Sequence, residues 1–312
     1  MTVAADLNIP VYYFYTSGAC CLAQYLYFPT LHRTTTGSFK DMNTLIHSPG
    51  LPPIPSSELP SPLLDRTSPV YSDFLVFCEQ LPKSAGIIVN TFDSLEPKAI
   101  KAITDGLCVP DRPTPPIYRI GPLIAAGGDG THECLNWLDL QPSQSVVYLC
   151  FGSSVSFFSS DQLKEIATGL ERSGQRFLWV VRTPPSNNKD DRFQPPPEPD
   201  LDLLLPEGFL DRTRDRGLVV KTWAPQVAVL NKESVGGFVT LRVVLVEEMK
   251  LALPMESTGG KVSATEVEKR VRQLMEDEGV REVAKARKEE AALAMSDGGP
   301  SRRALANLIA SW

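Results

Sequence analysis

At 312 residues the chain is long enough for two domains with buried cores, and its 42% hydrophobic and 22% charged content is that of an ordinary folded globular protein rather than a disordered one. A net charge of −6 argues against a nucleic-acid partner, which would want a basic stripe, so none is expected. Six cysteines (Cys20, Cys21, Cys78, Cys108, Cys134 and Cys150) follow neither metal-ligand nor disulfide-framework spacing, so the expectation is no metal site, a reduced compartment and a cytoplasmic protein.

Taken in order, the chain opens on a helical pattern at Val3 to Leu7 and a β-branched and aromatic run at Ile9 to Tyr15, read as a buried strand. No charged leader with an apolar core precedes it, since Asp6 and Pro10 interrupt the pattern. The uncharged stretch Ile9 to Leu31 contains Thr16, Ser17, Gly18, Gln24 and Pro29, which favours a strand followed by a buried helix over a membrane span. Thr16 and Ser17 are cap candidates for that helix, predicted through about Leu26. Ser48 to Pro69 is proline-rich and reads as an extended surface path with local turns. Ala85 to Asn90 is a second buried strand, with its helix predicted over Thr91 to Asp105. Pro110, Pro113, Pro115 and Pro116 give the following stretch a linker composition, so a domain boundary is placed at residue 116, with 1–116 and 117–312 as the two domains and Ile117 to Pro122 as the entry to the second.

In the second half, a helix from Leu135 to Leu140 and a strand from Val146 to Cys150 lead to the loop Phe151-Gly152-Ser153-Ser154. Gly152 permits close backbone approach there and Ser153 can donate to a phosphate oxygen. Ser159 with Gln162 forms a capping-box pair, and Leu163, Ile166, Ala167 and Leu170 repeat at helical spacing until Gly174. Phe177 to Val181 is the next strand, Arg182 to Leu205 a long polar loop, Pro206 to Phe209 a short helix, and Leu218 to Thr222 a strand. The stretch Trp223-Ala224-Pro225-Gln226 then turns the chain into a short helix, Gln226 to Leu230, and a strand, Gly236 to Thr240. Trp223 offers a flat face for a planar ring and Gln226 both a donor and an acceptor, although an isolated Trp is more often core. Ser263 with Glu266 caps a helix lined by Val267, Val271, Leu274 and Met275; Val280 to Ser296 is a solvated charged helix, and Arg302 to Ser311 is a short terminal one.

The string from Trp223 to Thr240 resembles the first part of the signature box of plant UDP-dependent glycosyltransferases. Phe151 to Ser154, Asn90-Thr91-Phe92 with Leu95-Glu96, Gly121-Pro122 and Gly299 to Trp312 also match that family. The resemblance runs from Ala4 to Trp312 with two deletions and is nearest to members that glucosylate flavonoids, chalcones or anthocyanidins. It implies an α/β, GT-B-like fold of two facing Rossmann-like domains, both incomplete here, the first binding the acceptor and the second the nucleotide sugar. The implied function is inverting O-glucosylation of a flavonoid-type phenol by a monomer without stable membrane insertion, with UDP-glucose as donor substrate and no cofactor. The implied nucleotide-sugar contacts are Trp223 stacking on uracil, Ala224 through its backbone, Gln226 toward the ribose, Ser153 on phosphate and Thr16 on the sugar.

Two departures bear on the chemistry. After Thr240 the chain reads Leu241-Arg242-Val243-Val244, where the family continues into a His-Cys-Gly-Trp-Asn-Ser helix start and closes on an acidic residue and Gln, and Lys232 stands where the family usually has His. The half-box that holds the diphosphate and sugar is thus expected to be missing, with Lys232 read first as a solvated surface residue. Glycosyl transfer needs a base near neutral pKa, which the family supplies as a His after its first strand with an orienting Asp. Placing Tyr15-Thr16 on the family's strand end puts that Asp upstream of Met1, and His32, His47 and His132 lie in other contexts, so no catalytic residue is assigned. The alternative reading is a truncated, non-catalytic product with at most weak uridine-nucleotide binding; a helix-rich interaction module has only the charged helix at Val280 in its favour. Loss of a helix and a strand from the middle of the second sheet is expected to lower stability.

Overall fold

The computed structural model describes residues 4, 6–124, 132–151, 158–184, 197–240, 253, 255–256 and 261–310. The described residues up to Ile124 and from Lys285 onward form one compact unit, and those between form a second.

In the first unit, β1 (Tyr12–Tyr15) enters a helix α1 (Ala19–Thr34) that is buried along much of its length, with Ala19, Leu22, Ala23, Leu26, Phe28 and Leu31 out of solvent. The helix begins later than the Thr16-Ser17 caps predict, and its N-cap, Gly18, offers no side chain. The capping oxygen arrives from far along the chain: Glu96, 3% exposed, accepts the Ala19 and Cys20 N–H groups at 2.7 and 2.9 Å and the Thr91 hydroxyl at 2.5 Å. A side chain at Gly18 would put its Cβ 2.5 Å from that carboxylate, so the close approach requires glycine.

Within the proline-rich stretch Ser48 to Pro69 the chain is extended with local turns: β3 (Ile54–Pro55) pairs antiparallel with β2 (Leu45–Ile46) just ahead of the stretch, and a single helical turn, α2 (Ser61–Leu64), follows. A 12-residue helix, α3 (Pro69–Gln80), begins where the stretch ends. Ser68 caps α3 and Pro69 fills its first turn, where a missing N–H costs nothing. The seam between α1 and α3 is aromatic. Tyr25 meets Phe74 edge-on at 4.7 Å, Phe28 meets Tyr71 at 5.3 Å, and Nδ1 of His32 lies 2.9 Å from the Tyr71 hydroxyl.

β4 (Gly86–Val89) pairs in parallel with β1 and, on its other side, with β5 (Ile117–Arg119), giving the order β1-β4-β5. Between them α4 (Pro97–Thr104) packs on α1; the helix expected from Thr91 begins only at Pro97 because Thr91 and Glu96 are engaged in the buried cap. Ile117 to Arg119 is therefore a strand of the first sheet, and the chain through Pro122 stays within the first unit rather than forming the entry to the second. The terminal helix, Pro300–Ala310, returns to this unit, and Ser301, 2% exposed, donates to the Gly121 carbonyl at 2.6 Å.

The second unit carries α5 (Glu133–Asp139), β6 (Val146–Leu149), α6 (Ser160–Ser173), β7 (Arg176–Val181), α7 (Leu201–Leu204), α8 (Phe209–Thr213), β8 (Gly217–Lys221), α9 (Gln226–Leu230), β9 (Val235–Val239) and α10 (Ala264–Glu276). Its strands form a parallel sheet in the order β8-β7-β6-β9. The central strands are buried on both faces, which explains their unbroken apolar runs: Val146 to Leu149 and Phe177 to Val181 are all out of solvent. Cys134 and Leu138 of α5, Val229 of α9 and Ala224 in the turn before it cover one face, while Leu163, Ala167, Leu170, Val267 and Val271 cover the other from α6 and α10.

Ser159 caps α6, Gly174 ends it at φ +69°, and Ser263 caps α10, as their sequence signals predict. α6 and α10 touch closely at Gly169, where a Cβ would lie 2.5 Å from that of Val267. The sheet expected to lose a middle strand is contiguous across its four described strands and ends on β9. α11 (Glu278–Met295) follows α10, with Arg270 at 2.6 Å from Glu266 tightening the helix before it.

Candidate functional site

The chain leaves β8 through a tight and strained turn. Thr222 donates its N–H to the Val181 carbonyl at 2.9 Å, the last rung of the β7–β8 ladder, and the next N–H, of Trp223, folds back onto the Lys221 carbonyl at 2.7 Å. That i to i+2 bond closes a γ-turn centred on Thr222, whose φ is +66°. A β-branched residue at positive φ is an outlier that costs on the order of 1–3 kcal/mol. The turn sits at the carboxyl end of a parallel strand, where open α/β sheets bind ligands.

The strain changes what the chain presents. Trp223 stands 56% exposed, so its core reading does not hold, while its neighbour Ala224 is 5% exposed and anchored beside Cys134, Leu138 and Val229. Pro225 precedes the first turn of α9, and Gln226 lies exposed at its first position. One short segment thus brings together an outward indole, a buried anchor and an amide able to donate and accept. His132 completes the cluster. Its Nδ1 accepts from the Cys134 N–H at 3.3 Å, capping α5, and its ring meets Trp223 edge-to-face at 5.9 Å. Sequence reasoning placed His132 only in a polar stretch before a helix; its position as the N-cap residue was the available signal.

The other predicted contacts are distributed differently. Ser153, with Gly152 and Ser154, lies outside the described residues. Thr16 is exposed in the first unit, just beyond β1, and its carbonyl accepts from the Asn90 amide at 3.2 Å. Because the Glu96 carboxylate already occupies the N-terminus of α1, that terminus is neutralised from within. Glu96 is the buried polar residue that sequence reasoning missed. Lys232 is paired with Asp139 at 2.6 Å, which ties the segment just after α9 to the end of α5.

None of the histidines stands just beyond β1. His32 lies near the far end of α1 against Tyr71, where burial first and the Arg66 charge second hold its pKa below the ordinary value of 6.5. His47 is exposed, and His132 is the α5 cap. Burial likewise pushes the Cys108 thiol up to about 12 and the Cys134 thiol up to about 11, so both behave as small apolar groups. Among the described residues no group of three or more His, Cys, Asp or Glu could hold a metal ion, and no helix is long and apolar enough to cross a membrane.

Residues 108–254, which include the Trp223 turn, match the family model described as UDP-glucoronosyl and UDP-glucosyl transferase. Phloretin 2'-O-glucosyltransferase of Pyrus communis is 48% identical over 358 residues, covering 100% of this chain and 74% of its own length. The chain belongs to the UDP-glycosyltransferase family. Anthocyanidin 5,3-O-glucosyltransferase of a Rosa hybrid cultivar is 47% identical, covering 99% of this chain and 72% of that enzyme. The Phytolacca americana UGT2 structure, complexed with UDP-2fluoro-glucose and pterostilbene, superposes with a TM-score of 0.86 at 36% identity, over 100% of this chain and 73% of that one. The fold is accordingly GT-B with Rossmann-like parallel sheets. The stretch matched in the Pyrus glycosyltransferase is 358 residues long where this chain has 312, so that relative carries internal residues this chain lacks.

Proposed function

We propose that this chain descends from a UDP-glucose-dependent glucosyltransferase of plant phenols, that it keeps the uridine-binding half of the donor site, and that its own turnover is strongly reduced. The observation that carries the reading is the Trp223 turn, where an exposed indole is held out by a strained backbone beside an exposed amide. Uracil stacks on the indole face and the ribose hydroxyls pair with Gln226, with the Ala224 backbone beside the base. The names of the relatives, which include phloretin and anthocyanidin glucosyltransferases, support a polyphenolic acceptor.

In the transfer itself the acceptor oxygen attacks the anomeric carbon, the bond from that carbon to the diphosphate breaks with inversion, and UDP leaves with the electron pair. The acceptor proton passes to a base, and donors on the diphosphate stabilise the leaving group. The internal shortening, placed after Thr240, takes away the second of these provisions. No cofactor enters the reading, since the donor carries the transferred group. The chain is proposed to act as a cytoplasmic monomer.

The test has two arms. Calorimetric titration with UDP is expected to show binding that falls about ten-fold or more in Trp223→Ala, the cost of losing one stacked base. Mass spectrometry of incubations with UDP-glucose and a flavonoid and chalcone panel is expected to show glucoside only from a version with the missing segments restored. Glucoside formed by the chain as it stands would overturn the claim of impaired turnover.

A further inference from the structure

Trp223 is exposed on a turn rather than embedded in a wall, so something must hold the indole plane if it is to serve as a preset surface. The turn fixes the backbone through the Thr222 γ-turn and the buried Ala224, but neither fixes the indole torsions. Among the described residues of the second unit, the aromatic ring that lies against the indole is that of His132, edge-to-face at 5.9 Å with the ring planes inclined by 70°. The imidazole is itself held: its Nδ1 accepts the Cys134 N–H, which places the ring proton on Nε2 and fixes the ring against the start of α5. Cys134 is fully buried in the same apolar cluster as Ala224, so the base of the prop and the base of the platform share one rigid footing.

The residue type points the same way. Ser, Thr, Asp and Asn are the strong helix caps, and His is a poor choice at an N-cap if capping is the only task. What His adds is a flat ring, and that ring lies against Trp223. We infer that His132 is a positioning residue of the donor site, holding the Trp223 indole as a fixed platform for the nucleobase of a uridine nucleotide. The inference rests on the reading of Trp223 as that platform, and it predicts that base affinity follows the ring at position 132 while helix stability follows the cap.

Two substitutions separate those roles. His132→Asn keeps a capping oxygen and removes the ring; His132→Phe keeps a ring and removes the cap. In the full chain, titrated with UDP, His132→Asn is expected to weaken binding between about two- and ten-fold, the range of one aromatic pair, with an unchanged unfolding midpoint. His132→Phe is expected to bind within about two-fold of wild type, less than one aromatic pair is worth, and to unfold at a lower midpoint. The indole N–H resonance of Trp223, assigned by its loss in Trp223→Phe, is expected to shift and broaden in His132→Asn without nucleotide and to stay sharp in His132→Phe.

An unaltered affinity and resonance in His132→Asn, with Trp223→Ala still impairing binding, would overturn the inference alone. Equal losses in the Asn and Phe variants would also overturn it, since a ring at position 132 would then not be enough, and a loss in His132→Phe alone would assign the effect to the cap. No UDP binding by the wild-type chain, or binding indifferent to Trp223→Ala, would overturn the platform reading and this inference with it.

Discussion

Removing the Glu96 carboxylate is expected to loosen the amino end of α1 by several kcal/mol. The carboxylate accepts three hydrogen bonds, from the Ala19 and Cys20 N–H groups and the Thr91 hydroxyl, and is almost wholly out of water. Truncation to Ala leaves those donors buried without partners, at about 1–3 kcal/mol each. It also removes an anion from a helix amino terminus, where such a charge contributes up to about 2 kcal/mol in partly buried geometry. Against these stands the desolvation of the carboxylate, itself several kcal/mol, which the variant no longer bears. The balance for Glu96→Ala is about 3–4 kcal/mol. Glu96→Gln keeps one accepting oxygen but turns an amide N–H toward a backbone N–H, so about 2 kcal/mol is expected. Native-state hydrogen exchange read by mass spectrometry on peptides spanning Ala19 to Leu26 reports this unit without assuming that the two units unfold together. Gly18→Ala, whose Cβ would enter the carboxylate, should lose protection at the same amides. A loss below about 0.5 kcal/mol in Glu96→Ala, within the range of an ordinary surface substitution, would refute the assignment of Glu96 as the cap.

Thr222→Gly should stabilise the second unit by about 1 kcal/mol, since relief of positive-φ strain exceeds the added chain entropy, while weakening UDP binding by freeing the turn; paired denaturation and titration would show both. Gly169→Ala should cost about 2 kcal/mol in urea unfolding, because the methyl would enter Val267 where α6 meets α10. His32 has a depressed pKa in the folded chain, so between its ordinary value of 6.5 and its native value the unfolded state takes up a proton that the native state refuses. Stability should therefore be full above pH 6.5, decline as the pH falls below it and level off once the native ring protonates; His32→Gln should flatten that segment of a stability-versus-pH series.

The elements that local signals specify were legible from residues alone. Ser159 with Gln162 and Ser263 with Glu266 marked helix starts that the structure keeps, Gly174 marked a helix end, and the apolar runs at Val146 and Phe177 gave the central strands. In each case the residues that decide the conformation lie within a few positions of it. The Trp223 turn was legible as a binding-type segment for the same reason, but its exposure was not: a Trp in a strand-to-helix turn points inward or outward according to the backbone, and here the positive φ of Thr222 decides.

What only the tertiary structure decided concerns partners far apart in sequence. Glu96 caps a helix that starts 77 residues earlier, and no local pattern at Thr16 or Ser17 could announce that their own capping would go unused. The seat of the helix Pro69–Gln80 is likewise decided at a distance, by the aromatic rings of α1 on which its own rings pack. Ile117 to Arg119 joined the first sheet because parallel pairing with β4 outweighs the prolines before it. His132 and Trp223 are likewise 91 positions apart, and only the packing of α5 and α9 on one face of the sheet brings an imidazole edge to the indole.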